Sequence, residues 1–69
     1  MNRIPITSST IASIGFDEDS STLEIEFLSG SVYQYFDVPF SIYNGLLEAD
    51  SKGQYMNQFI KGQYRFVKI

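Results

Sequence analysis

The chain contains no cysteine, no histidine and no tryptophan. Each absence removes a class of chemistry. Without cysteine there is no disulfide, and with neither cysteine nor histidine there is no zinc staple of the usual kind. The commonest general base and the strongest side-chain nucleophile are both missing, so Ser-His-Asp and Cys-His arrangements are excluded. Basic residues are also scarce. Five Lys and Arg stand against eight Asp and Glu, for a net charge of −3. That balance argues against nonspecific binding of long nucleic acid, which relies on many cations to release counterions. No apolar run approaches the roughly 18 residues a membrane-spanning helix needs. Met1-Asn2-Arg3-Ile4-Pro5 lacks the apolar core of a signal peptide, so a cytoplasmic location is the expectation.

What remains is a chain of 69 residues, 43% of them hydrophobic. That length makes one domain, residues 1–69, and the composition suits a folded globule. A domain this short buries only about 60% of the surface its unfolded chain exposes. Small domains without staples gain stability by oligomerising, so a homo-oligomer is expected.

Hydrophobic periodicity organises the chain. Residues 1–9 read as an extended N-terminal arm, because Pro5 and the Thr7-Ser8-Ser9-Thr10 run disfavour a helix. Ile11 to Phe16 reads as a first strand, and Asp17-Glu18-Asp19-Ser20-Ser21 as a polar turn. Thr22-Leu23-Glu24-Ile25-Glu26-Phe27 alternates apolar and acidic residues after Thr22, the clearest strand signal present. Val32 to Val38 follows as a third strand, ended by Pro39. Phe40 to Ala49 suits a short amphipathic helix. Ser51 is placed to cap a second, from Lys52 to about Lys61, with Gly62 closing it. Tyr64 to Ile69 reads as a short last strand or a docked tail. The fold class is therefore α+β: a three-stranded antiparallel meander, two short helices, and a final segment open to joining the sheet.

The hairpin after Phe27 has two readings. A two-residue Ser29-Gly30 loop pairs Glu26 with Tyr33 and Glu24 with Tyr35, which puts the tyrosines on the acidic face. A three-residue Leu28-Ser29-Gly30 loop with Gly30 left-handed pairs Ile25 with Tyr33 and Leu23 with Tyr35, which puts both in the core. Glycine in the third loop position favours the second. In either case Val32, Phe36 and Val38 make the opposite face of that strand apolar, so cover is expected on both sides. A partner subunit is one source of it.

Several acids exist for two-carboxylate chemistry, but turn and solvated-strand positions account for them. Counting from Asp17, the sixth residue is Thr22 and the twelfth Leu28, which rules out an EF-hand loop. No phosphate-binding glycine motif is present. Catalysis is not expected, nor is a metal or cofactor. The charge distribution is more informative. Seven of the eight acids lie at or before Glu48, and four of the five basic residues follow Asp50. A basic C-terminal quarter on an acidic body suits a compact anion site.

The ordered set Ser8-Ser9, Ile14-Gly15-Phe16-Asp17, Leu23-x-Ile25-x-Phe27, Gly30-x-x-Tyr33-x-Tyr35, Val38-Pro39, Ala49-x-Ser51-x-Gly53, Asn57 and Ile60-Lys61 resembles the KTSC domain. This is a small bacterial and phage module also found at the C-terminus of some lysyl-tRNA synthetases. The resemblance runs from Ser8 to Tyr64. Phe16 stands where the family often has Tyr, so no hydroxyl role carries over there. The resemblance implies a free-standing domain without known catalysis and suggests RNA binding.

Three functions follow as expectations. The first is a nucleotide-binding module, a small oligomer that sequesters a signalling (cyclic) nucleotide. Tyr33, Tyr35, Phe36, Tyr55 and Tyr64 offer stacking faces. Ser51, Lys52 and Gly53 open a helix toward a phosphate. Lys61 and Arg65 supply cations, Ser8, Ser9 and Thr10 supply hydroxyls, and Asn57 can read a base edge. The second is a single-stranded RNA or tRNA accessory domain using the tyrosine strand as a platform. The third is a protein-interaction module using a free strand edge.

Overall fold

A computed structural model describes all residues, 1–69. The sheet has five strands: β1 (Arg3–Pro5), β2 (Ile11–Asp17), β3 (Thr22–Phe27), β4 (Val32–Tyr35) and β5 (Phe66–Lys68). Their spatial order is their chain order, and every neighbouring pair is antiparallel. Helix α1 (Phe40–Glu48) and helix α2 (Lys52–Tyr55) lie between β4 and β5. The expected three-stranded meander is thus the centre of a wider sheet. Part of the N-terminal arm pairs with β2, and the C-terminal segment joins β4. Three-residue strands are too short to show a periodicity, so the first read only as an extended arm and the last segment as either a strand or a docked tail; the strand is what forms.

The second hairpin takes the three-residue form. Tyr35 pairs with Leu23, Tyr33 with Ile25 and Val32 with Glu26. Gly30 has φ 98°, a conformation that suits glycine, and its N–H donates to Phe27 at 2.9 Å. Both tyrosines therefore share a face with the core residues Leu23 and Ile25.

A bulge at Ala12 decides how β2 joins that face. Ile11 pairs with Phe27 and Ser13 with Glu26, which leaves Ala12 unmatched. Strict alternation would turn Ile11 and Ile14 to opposite faces. The extra residue restores them to one, and both are fully buried. They pack with Leu23, Ile25, Leu46, Met56 and Ile60 into the core beneath the helices. Each such side chain contributes about 1.5–3 kcal/mol through burial.

Strand β4 stops at Tyr35, not Val38. Asp37 takes φ 58°, which turns the chain off the sheet. Val38 is consequently not on the outer face of the strand. It is fully buried in the core, and its N–H donates to Ser21. The second helix also departs from expectation. After Lys52–Tyr55 the chain widens into a π-helical turn over Met56–Ile60, closed by Lys61 N–H donating to Met56 at 2.8 Å. Turns of this kind recur at functional sites.

The outer sheet face carries the alternating acids. Glu24 accepts from Gln34 at 2.9 Å and pairs with Arg3 at 3.2 Å. Ser13 donates to Glu26 at 2.8 Å. The arm crosses close over Gly15, where a Cβ would lie 2.9 Å from both Arg3 Cγ and Asn2 O. Glycine is what lets the arm lie there. No helix is long and apolar enough to cross a membrane.

Candidate functional site

The helices cover only part of the inner sheet face. Beyond them, toward the Leu28–Gly30 loop and β5, the same face opens into a groove of about 660 Å³. That lies within the range of small-molecule sites. Its floor is aromatic. Phe27, Tyr33, Tyr35 and Phe66 come from three adjacent strands. Tyr33 lies nearly parallel to Tyr35, with ring centroids 6.3 Å apart, and Phe66 is 5.8 Å from Tyr33 and 5.9 Å from Tyr35. Phe27 meets Tyr33 edge-on at 5.7 Å. Tyr35 marks the inner boundary at 4% exposure, whereas Phe66 is 55% exposed. Burial, and secondarily the neighbouring Tyr33, hold the Tyr35 phenol above its ordinary pKa. It is a neutral ring at physiological pH.

Hydroxyls and one lysine form the rim. Ser9 and Thr10 line one wall, and Ser29 and Ser31 line the hairpin side. The Ser9–Thr10 segment is tied to the hairpin by Leu28 N–H donating to Thr10 at 2.9 Å. Lys61 emerges from the π-helical turn with its Nζ 5.5 Å from the centre of the Phe27 ring. It belongs to neither ion pair of the chain, which are Arg3–Glu24 and Arg65–Asp37. No acidic residue lines this groove.

Past Lys61 and Phe27 the depression continues into a smaller chamber of about 270 Å³, lined by Ser51, Gly53, Gln54 and Asn57. A third, of about 130 Å³, reaches Ser8, Lys52 and Asp50. Ser9 borders all three. The trough therefore runs from the aromatic floor, past one lysine, to a polar end.

Nine of the eleven residues proposed from sequence line this trough: Ser8, Ser9, Tyr33, Tyr35, Ser51, Lys52, Gly53, Asn57 and Lys61. Several have structural work of their own. Ser8 Oγ accepts from the Thr10 and Ile11 N–H groups, which shapes the wall. Ser51 Oγ accepts from Gln54 N–H as the α2 cap, and Lys52 Nζ donates to Ala49 O at the end of α1. Gly53 leaves room for Thr10, whose Oγ1 would lie 3.1 Å from an added Cβ. At the α2 start Ser51 and Lys52 thus already hold capping hydrogen bonds, and the cation lining the aromatic groove is Lys61.

Tyr55 and Arg65 lie elsewhere. The Tyr55 hydroxyl donates to Ile42 O at 3.0 Å and its ring packs on Phe59, so it ties the helices together. Burial, then the nearby Tyr64, raise its pKa. Arg65 lies 3.8 Å from Asp37 and over the Phe36 ring. Phe27, Phe66, Ser29 and Ser31 were not singled out beforehand. Phe27 read as the end of an alternating strand. Phe66 became visible only once the last segment joined the sheet.

The KTSC domain profile matches residues 7–64. The chain belongs to the KTSC domain family. A crystal structure of a KTSC domain protein from Yersinia pestis matches with a TM-score of 0.96 at 41% identity, covering 99% of this chain and 96% of that one. A protein of Stutzerimonas stutzeri is 44% identical over 70 residues, which is 100% of this chain and 99% of the relative. A lysine–tRNA ligase of Nostoc punctiforme is 48% identical over 61 residues. That match covers 88% of this chain and 11% of the ligase, so the KTSC domain corresponds to a small segment of the larger protein.

Proposed function

We propose that this KTSC domain is a non-catalytic nucleotide-binding module that holds its ligand in the aromatic groove. The observation that carries the proposal is the pairing of an open aromatic floor with an unpaired lysine in a groove free of acids. A base stacks on the exposed Phe66 ring and the half-buried Tyr33 ring beside it. Its phosphate reaches Lys61, with Ser9 and Thr10 as neutral donors on the wall. An acidic protein tolerates such a site because Glu24 and Glu26 face the opposite side of the sheet, held by Arg3, Gln34 and Ser13. The reactive residue types missing from the sequence make binding and sequestration the natural output, rather than turnover.

The same orientation supports a second reading, in which the nucleotide is part of single-stranded RNA. Acids beside the tyrosines would have repelled a phosphate backbone. In the observed register they are behind the sheet. The lysine–tRNA ligase relative adds support, since its name places it with tRNA.

A thermal-shift screen separates the readings. Free mono-, di- and cyclic nucleotides test the first, and short single-stranded RNAs test the second. Stabilisation that vanishes in Lys61→Ala supports the groove. Stabilisation only by oligomers, growing with length, selects the RNA reading. No stabilisation by any of them removes both.

A further inference from the structure

We infer that the free edge of β5 pairs with β5 of a second copy of this chain, joining two five-stranded sheets into one. The two edges of the sheet differ. Ile6 N–H donates inward to Ala12, so by alternation Pro5 faces outward, where it has no N–H to offer. The β5 edge has no such block. Arg65 O accepts from Phe36 N–H and Ile69 N–H donates to Val32 O, both at 2.9 Å. Residues 65, 67 and 69 thus turn toward β4, and the N–H and C=O groups of Phe66 and Lys68 point out unpaired. The strand is also apolar and exposed, at 55% for Phe66, 42% for Val67 and 63% for Ile69.

The edge complements itself. A two-fold axis through Val67 places Phe66 of one copy opposite Lys68 of the other, twice. Those are the residues with outward hydrogen-bonding groups, so the register pairs donors with acceptors. Lys68 meets an aromatic ring rather than another lysine, a contact the fold already uses between Lys61 and Phe27. On the outer face, Val67 of each copy meets its twin. Nothing in this pairing requires the nucleotide reading.

One consequence does rest on that reading. Lys68 pairs with Tyr33 and Phe66 with Tyr35, so both lie on the groove side of the sheet. The second copy therefore sets its own Lys68 beside Phe66 at the groove floor, and the two grooves open on one face. Each site gains a cation from its neighbour.

The absence of native cysteine makes the test clean. Val67→Cys in the full chain should form a disulfide-linked dimer under mild oxidation, because a pair without mutual hydrogen bonds brings Cα atoms to about 4.5 Å. Ile4→Cys, on the blocked edge, should not. Sedimentation of the unmodified chain should show twice the 7.9 kDa monomer. Val67→Glu, which sets two carboxylates face to face at an exposed position, should weaken association by at least roughly tenfold. Equal cross-linking at positions 4 and 67, a monomer at all concentrations, or a dimer indifferent to Val67→Glu would each overturn the pairing. Lys61→Ala should leave the dimer intact, so loss of nucleotide binding and loss of pairing are read separately.

Discussion

One face of the sheet has two halves built from similar residues, and they end differently. Ile11, Ile14, Leu23 and Ile25 meet the helices and are closed from water. Phe27, Tyr33 and Phe66 continue the same surface, but no residue of α1, α2 or the π-helical turn lines the groove they form. The difference is cover, not hydrophobicity. The helical segments end at Ile60, and the chain then returns through Gly62 to β5. A sheet face that outruns its helices leaves an apolar floor, and aromatic residues suit that position because they tolerate partial exposure. Stability resides in the first half, and the proposed recognition falls to the second.

The comparison can be broken by substitution. Ile25→Ala, in the covered half, is expected to remove about 2–5 kcal/mol of folding stability, measured by urea denaturation. For a domain this small that is a large part of the total. Phe66→Ala, in the open half, should change stability by no more than about 1 kcal/mol. Equal losses would mean that the groove is simply more core. The same Phe66→Ala protein should lose about 1–3 kcal/mol of nucleotide affinity by titration calorimetry. Lys61→Ala comes next, with affinity reduced roughly tenfold and, for a single-stranded ligand, a shallower salt dependence.

The smallest effect is alkaline. Tyr35 and Tyr55 are held protonated in the fold, with pKa values raised by burial. Their contribution to stability is full below the unfolded tyrosine value of about 10. It is lost as pH rises through the raised folded values. Denaturation midpoints should therefore fall above that point. Tyr55→Phe should make the fall shallower, while losing the hydrogen bond to Ile42 at all pH values.

The sequence revealed the centre of the fold more readily than its edges. Alternation in Thr22–Phe27 located β3 to the residue, and Gly30 favoured the hairpin register that is observed. The consequence of that register was harder to foresee. Sharing the core face was expected to bury both tyrosines, yet only Tyr35 is buried, because side-chain parity cannot show where the helices stop. The edge strands were too short to declare themselves fully: β1 read only as an extended arm, and β5 was one of two readings of the last segment. Neither the bulge at Ala12 nor the turn at Asp37 leaves a periodic trace, so the placement of Ile11 and Val38 needed three dimensions. Most proposed ligand residues do converge on one trough. Sequence could not reveal that Ser51 and Lys52 are occupied by capping, or that Tyr55 joins helices, since those roles depend on partners distant along the chain.

The proposed role of the uncovered half of the sheet is to take a nucleotide. An amide NMR titration with mono-, cyclic and oligonucleotides tests it residue by residue. Shifts should concentrate at Ser9, Thr10, Phe27, Tyr33, Lys61 and Phe66, with Glu24 and Glu26 behind the sheet undisturbed. Shifts centred on the outer face, or none with any nucleotide, would contradict it.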